Sequence, residues 1–262
     1  MPRISRASKL GFSYRFAVGL LRRPLLIFTI RDWSGAENLD VDRGVIVAPN
    51  HISWFDPLVV AHFCFDNDRP PRFLAKEAVF RVPVFGRIIA HAGQIPVKRD
   101  TVDAARSVQD GLEALSRGEC VVVYPEGTIT RDPELWPMSG KTGAARMALM
   151  TGAPLLPMAH WGAQEVMRPY QKALRLLPRK TVTVVLGPPL DLDDLRSRPL
   201  DVDTLRLATD RLVDAMTELL AQIRDVPAPT DRLDYQAHRN AQAHRNEHRD
   251  RHSSAQDGSS NP

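Results

Sequence analysis

The runs "GVIVA", residues 44–48, and "CVVV", residues 120–123, contain no polar side chain. A strand with one wet face alternates apolar and polar residues. A strand without alternation is covered on both faces, as in parallel sheets whose strands are joined by helices. The intervening segments supply such helices. Residues 101–117 put Val102, Ala105, Val108, Leu112 and Leu115 on one helical stripe, and Gly118 stops it. "DPLVVAHFCF" starts another, with Asp56 expected at the N-cap and Pro57 as first helical residue. "VFGRIIAHAG", "SGKTGAARMALMTG" and residues 201–224 read as further helices, "RFLAKEAVF" as a short strand and a turn, and "GQIPVKR", "APLLPMAHWG" and "TVTVVLGPPL" as strands. The pattern predicts an α/β domain, a largely parallel central sheet with helices on both faces, its functional residues at strand ends.

The 262 residues suffice for one full core with appendages. Charge is distributed unevenly along them. Arg3, Arg6, Lys9, Arg15, Arg22, Arg23 and Arg31 precede the first acid, Asp32, so the first 31 residues carry +7 and the remainder −3 of the net +4. A local basic arm of this kind argues against nucleic acid as a partner of the body of the protein. Arg15, Arg22 and Arg23 interrupt the apolar stretch from Phe12 to Ile30, so it falls short of the roughly 20 apolar residues of a membrane span. Residues 1–31 are read as a basic amphipathic helical segment at an anionic bilayer surface. Its arginines would meet headgroups, while Phe12, Phe16, Leu20, Leu21 and Leu25–Phe28 would enter the lipid. Residues 32–228 form the α/β domain. Residues 229–262, with His238, His244, His248 and His252, read as a disordered polar tail rather than a metal site. Cys64 and Cys120 sit apart in apolar runs, as buried reduced thiols suited to the cytoplasm. No metal is expected.

"PNHISWFDPL" places His51 and Asp56 at the seam between a strand and a helix. A neutral imidazole takes a proton from an alcohol near neutral pH, and a carboxylate beside it fixes its tautomer. Taken alone, the stretch is equally served by Asp56 as a plain cap and His51 bonded only to backbone. Ser53 lacks the GxSxG context of a serine nucleophile. In "VVVYPEGTITRD", Glu126 can accept hydrogen bonds from substrate hydroxyls and Gly127 lets backbone approach a ligand. In "GQIPVKRD", Lys98 and Arg99 end a strand where they can clamp a phosphate.

In this order the stretches resemble the glycerolipid acyltransferase family, the lysophosphatidic acid (1-acylglycerol-3-phosphate) acyltransferases. Asn50 to Asp56 match its NHxxxxD block; Lys76, Pro83 and Gly86 match K-E…P-x-x-G; Gly93, Ile95 and Arg99 match G-x-I-x-x-x-R; and Tyr124 to Thr128 match F-P-E-G-T. Pro154 to Pro157 match the proline-bearing fourth block, and the likeness covers about residues 40–190. The resemblance implies acyl transfer from acyl-CoA or acyl carrier protein to 1-acylglycerol-3-phosphate, making phosphatidic acid, at the cytoplasmic face of the cell membrane by a peripheral or monotopic protein. His51 would be the general base and Asp56 its partner. Asn50, Lys76, Lys98, Arg99, Glu126, Gly127, Thr128 and Arg131 would bind substrate, with no cofactor beyond the acyl donor. Where the third block ordinarily continues with Arg and Ser, this chain has Ile129 and Thr130, with the nearest arginine at Arg131. That departure keeps another lysophospholipid or a glycolipid headgroup as an alternative acceptor.

Overall fold

The computed structural model describes residues 12–83, 85–91, 93–97, 103–234 and 237. The strands are β1 (Thr29–Ser34), β2 (Val45–Pro49), β3 (Pro71–Lys76), β4 (Ile95–Val97), β5 (Cys120–Val122), β6 (Leu155–Trp161) and β7 (Lys180–Leu186). They form one sheet in the order β1-β7-β6-β2-β5-β3-β4. Neighbours are parallel except β6 with β7. The helices are α1 (Phe12–Phe28), α2 (Asp56–Asp66), α3 (Glu77–Phe80), α4 (Phe85–His91), α5 (Asp103–Ser116), α6 (Gly143–Thr151), α7 (Ala163–Val166), α8 (Asp193–Arg196) and α9 (Val202–Arg224).

The unbroken apolar run of β2 has its expected cause. Side chains alternate across a strand, so Val45 and Val47 enter one core with Val59, Phe63 and Cys64 of α2 and Ala163 and Val166 of α7. Ile46 and Ala48 enter the other, with Ala114 and Leu115 of α5, Met147 of α6 and Leu212 and Met216 of α9. β2 is thus central in both directions: Ile46 lies between Leu155 of β6 and Val121 of β5. Because these three strands are parallel, all of them end at one edge of the sheet, and the loops that follow them meet there. Cys64 and Cys120 are free and buried. A hydrogen bond to Cys120 and burial hold the Cys64 thiol well above its ordinary range.

Three expectations change. α2 begins one residue earlier than its proline suggests: Phe55 is the N-cap and Asp56 the first helical residue. The basic arm does not end before the domain begins. Leu25 is buried in the core instead of facing lipid, and Arg22 bonds Asp66 of α2 at 2.8 Å instead of reaching outward. Arg31 lies in β1 and also bonds Asp66, at 2.9 Å. β1 pairs with β7 at the sheet edge with five of its six residues exposed or half-exposed and only Thr29 buried, so no apolar run announced it. At the other end, the carbonyl of Leu233 accepts from Ser139 N–H at 3.0 Å and Arg232 pairs with Asp210 at 3.3 Å, which ties residues assigned to the tail onto the domain. The side chains of Phe12, Phe16, Leu20 and Leu21, and the four tail histidines, lie outside the described residues.

Leu156 of β6 is fully buried beside β2. Leu156→Ala is expected to lower stability by about 2–5 kcal/mol through lost burial and an unfilled cavity, read as a drop in the urea midpoint.

Candidate active site

The loop after β2 folds back because Asp56 gathers its donors. Asp56 is fully buried, and its Oδ2 accepts from the N–H groups of Ile52 at 2.6 Å and Ser53 at 2.7 Å. The same oxygen lies 2.9 Å from His51 Nδ1. A carboxylate oxygen accepts, so Nδ1 carries the proton and Nε2 keeps its lone pair, the arrangement of a general base. His51 is otherwise mostly enclosed, with 12% of its side chain exposed, and its ring stacks on Tyr124 at a centroid distance of 4.3 Å. Five residues on a continuous helix would have pointed these side chains apart; the turn ahead of α2 brings them together. Ser53 is excluded as a nucleophile. Its hydroxyl is buried, donates to Met167 O at 2.6 Å and accepts from Phe55 N–H at 3.0 Å.

Glu126 was expected to meet substrate hydroxyls and instead joins two loops. It is buried; Oε1 accepts from His51 N–H at 3.0 Å and Oε2 from Met138 N–H at 3.1 Å. The carbonyl of His51 accepts in turn from Thr130 N–H at 2.8 Å. The β5 loop and the β2 loop are thus bound to each other on both sides of His51. Burial raises the Glu126 pKa to about 8 against the pull of these two N–H donors. Asn50 is likewise turned inward. Its amide donates to His160 O at 3.2 Å and accepts from His160 N–H at 2.9 Å. Both contacts run to β6, so Asn50 holds strand ends together.

His160 itself was not singled out in the sequence. Its Nε2 lies 2.9 Å from Asn50 O and 3.9 Å from Asp56 Oδ2, behind the His51–Asp56 pair. Burial lowers its pKa, which keeps the ring neutral, with Nε2 as donor. A histidine in an otherwise apolar, proline-marked strand was the signal available.

The remaining residues rim the edge. Gly127 turns at φ 68°, with the Lys141 side chain 3.2 Å from where a Cβ would stand, so a cation the sequence reading passed over covers this glycine. Thr128 is half-exposed in the same loop. Ile129 and Thr130, at the departure from the usual third block, are both buried, and the Thr130 hydroxyl donates to Trp136 O at 2.7 Å. Arg131 is the next side chain outward, its guanidinium 4.1 Å above the Tyr170 ring. The Tyr170 hydroxyl lies 2.6 Å from Ile129 O and 2.9 Å from Thr130 O. Lys76 ends β3 beside Val97 of β4. Lys98 and Arg99 lie outside the described residues. Among the described residues, no group of three or more His, Cys, Asp or Glu is placed to hold a metal ion.

Comparison with known proteins places this edge in a family. The family model described as Acyltransferase matches residues 31–161. The chain belongs to the acyltransferase family. It is 28% identical over 198 residues to the 1-acyl-sn-glycerol-3-phosphate acyltransferase of Bacillus subtilis, covering 75% of this chain and 88% of that protein. It is 30% identical over 138 residues to a chloroplastic 1-acyl-sn-glycerol-3-phosphate acyltransferase of Brassica napus, covering 52% of this chain and 38% of that longer protein. The crystal structure of the 1-acyl-sn-glycerophosphate acyltransferase PlsC from Thermotoga maritima shares the fold, with a TM-score of 0.60 at 20% identity over 86% of this chain and 88% of that one.

A raised carboxyl pKa means that the folded state holds its proton more tightly than the unfolded one. The stability this confers is present below about 4.5 and is lost as pH rises through about 8. Glu126→Gln is expected to remove that slope, a matter of a few kcal/mol across the window. Urea midpoints measured at several pH values for both proteins check it; parallel curves would show that Glu126 does not titrate there.

Proposed function

We propose that this protein transfers a fatty acyl group from acyl-CoA or acyl carrier protein to the free hydroxyl of 1-acylglycerol-3-phosphate, forming phosphatidic acid in phospholipid synthesis. The observation that carries the reading is the His51–Asp56 pair: Nδ1 held at 2.9 Å by a buried carboxylate, with Nε2 left basic. Its support beyond geometry is the family and the names its relatives bear.

In this mechanism Nε2 of His51 removes the hydroxyl proton of the acceptor as its oxygen attacks the thioester carbonyl. The tetrahedral adduct collapses with cleavage of the C–S bond, and the departing thiolate takes the proton back from the imidazolium. Asp56 balances the transient charge. No acyl-enzyme forms, in keeping with the buried, doubly bonded Ser53. Within the first loop, the N–H groups of Asn50, His51, Ile52, Ser53, Phe55 and Asp56 are already bonded, so that loop does not act as a set on the oxyanion. The Trp54 N–H is the one left for it, and such a donor contributes about 3–4 kcal/mol. Arg131, held over Tyr170, takes the phosphate contact that the altered third block lacks, together with Lys76 at the end of β3 and with Lys98 and Arg99. Another lysophospholipid or a glycolipid headgroup is the second reading, favoured by buried Ile129 and Thr130.

The protein works at the cytoplasmic membrane surface, peripheral or monotopic, with the parts of the N-terminal segment that do not pack on the domain against anionic lipid. Among the described residues no helix is long and apolar enough to cross a membrane. The exposed Ile27 and Ile30 at the end of the arm support this contact.

Thiol release from palmitoyl-CoA, measured with and without lysophosphatidic acid, tests the reaction. Release is expected only with the acceptor. His51→Ala should lower turnover by about 10²–10⁴-fold, and Asp56→Asn by about as much because it misdirects the tautomer. Release without acceptor would make the protein a thioesterase. Arg131→Ala is expected to raise the acceptor KM with little change in kcat; a KM equal to that of wild type would remove Arg131 from the phosphate site.

A further inference from the structure

The segment between α7 and β7 is both basic and apolar on its outside. From Glu165 to Asp191 there is no acid, while Arg168, Lys172, Arg175, Arg179 and Lys180 are all cations. Arg168, Lys172 and Arg175 make no ion pair among the described residues. Its apolar side chains divide into two sets. Met167 and Leu176 pack on the core, whereas Leu174 and Leu177 stand 53% and 75% exposed. A loop that only connected two elements would have no reason to present leucines and unpaired cations together, because exposed apolar surface beside charge is costly unless something covers it.

The two ends of this loop are fixed to informative places. At its start, Met167 O accepts from Ser53 of the catalytic loop, and the Tyr170 hydroxyl caps the carbonyls ahead of Arg131. Trp54, beside Ser53, is 55% exposed. At its finish, Arg179 donates to Leu26 O at 3.2 Å and Thr29 O at 2.8 Å, where the exposed Ile27 and Ile30 close the basic arm. The loop therefore runs from the mouth of the catalytic site to the end of α1, carrying lipid-compatible side chains and positive charge along its length.

We infer that residues 168–179 are a second membrane-docking element, which lays the mouth of the site on an anionic bilayer independently of the N-terminal segment. Leucines would enter the acyl boundary while Lys172 and Arg175 meet anionic headgroups, the arrangement that combines apolar insertion with electrostatic attraction. The inference rests on the proposed acyl transfer only in that a lipid acceptor must be collected from a bilayer; docking itself is read without turnover.

The test is flotation of the full chain with vesicles of phosphatidylcholine plus phosphatidylglycerol, and of phosphatidylcholine alone. Two variants accompany it: Lys172→Gln/Arg175→Gln and Leu174→Ser/Leu177→Ser. All four side chains are exposed, so the fold is expected to survive, which unchanged urea midpoints confirm. Each cation near such a surface contributes roughly fivefold, so the charge variant should bind anionic vesicles about 30-fold more weakly. The leucine variant should lose about tenfold or more on the same vesicles. Both should keep wild-type rates with monomeric short-chain substrates. Wild-type vesicle binding by both variants would overturn the proposal. So would unchanged vesicle binding with lost turnover only from acyl carrier protein, which would make the loop a dock for an acidic protein. Loop-dependent vesicle binding by a wild-type protein that releases no thiol would sustain the docking element and refute the proposed reaction instead.

Discussion

One oxygen atom organises the candidate site at the sheet edge. Asp56 Oδ2 receives His51 Nδ1 and the N–H groups of Ile52 and Ser53, all between 2.6 and 2.9 Å. Those three donors satisfy an oxygen of a fully buried carboxyl group, which would be costly to bury without partners. They also bend five residues into a turn that a helix or strand could not make. The turn places Asp56 in the first turn of α2, where the peptide dipoles favour a negative charge. Loop shape, helix start and imidazole orientation are therefore one interaction seen from three sides.

The sheet supplies what that interaction cannot. The β2, β5 and β6 strands are parallel neighbours, so their ends converge, and each contributes a crosslink behind the imidazole. Glu126 joins the loops after β2 and β5, while the Asn50 amide and the His160 backbone join β2 to β6. Residues of this kind fix the position of the His51 ring, and positional error at a reacting centre is expensive in rate.

Much of this could be read from the chain, for definite reasons. Uniformly apolar strands and the stripe of residues 101–117 are signals of burial, and burial dominates folding, so the sheet and most helices were legible. β1 was not, because an edge strand needs only part of one face covered and its sequence, "TIRDWS", shows no run. The His51–Asp56 pair was legible as chemistry, and Pro57 after Asp56 marked the helix start whose preceding turn brings the two together. Residue type tells what Glu126 and Asn50 can bond, not whether the donors are backbone or substrate; here the donors are backbone on both sides. His160 was missed because a lone histidine in a strand has no pattern around it. The basic, leucine-bearing loop at 168–179 has no periodicity either, and its exposure emerges only once Met167 and Leu176 are seen to take the inward places.

Helix α2 begins with the carboxylate that holds His51 and ends with Asp66, which binds Arg22 of α1 and Arg31 of β1. An acid at a helix C-terminus opposes the dipole, and those two arginines offset it. The helix is about 16 Å long and packed along its length by Val59, Val60 and Phe63. It is a short strut with a carboxyl group at each end, one bonding the His51 imidazole and the other bonding α1 and β1. One rigid element therefore both orients that ring and fastens the N-terminal helix to the sheet, so the two attachments share a single support.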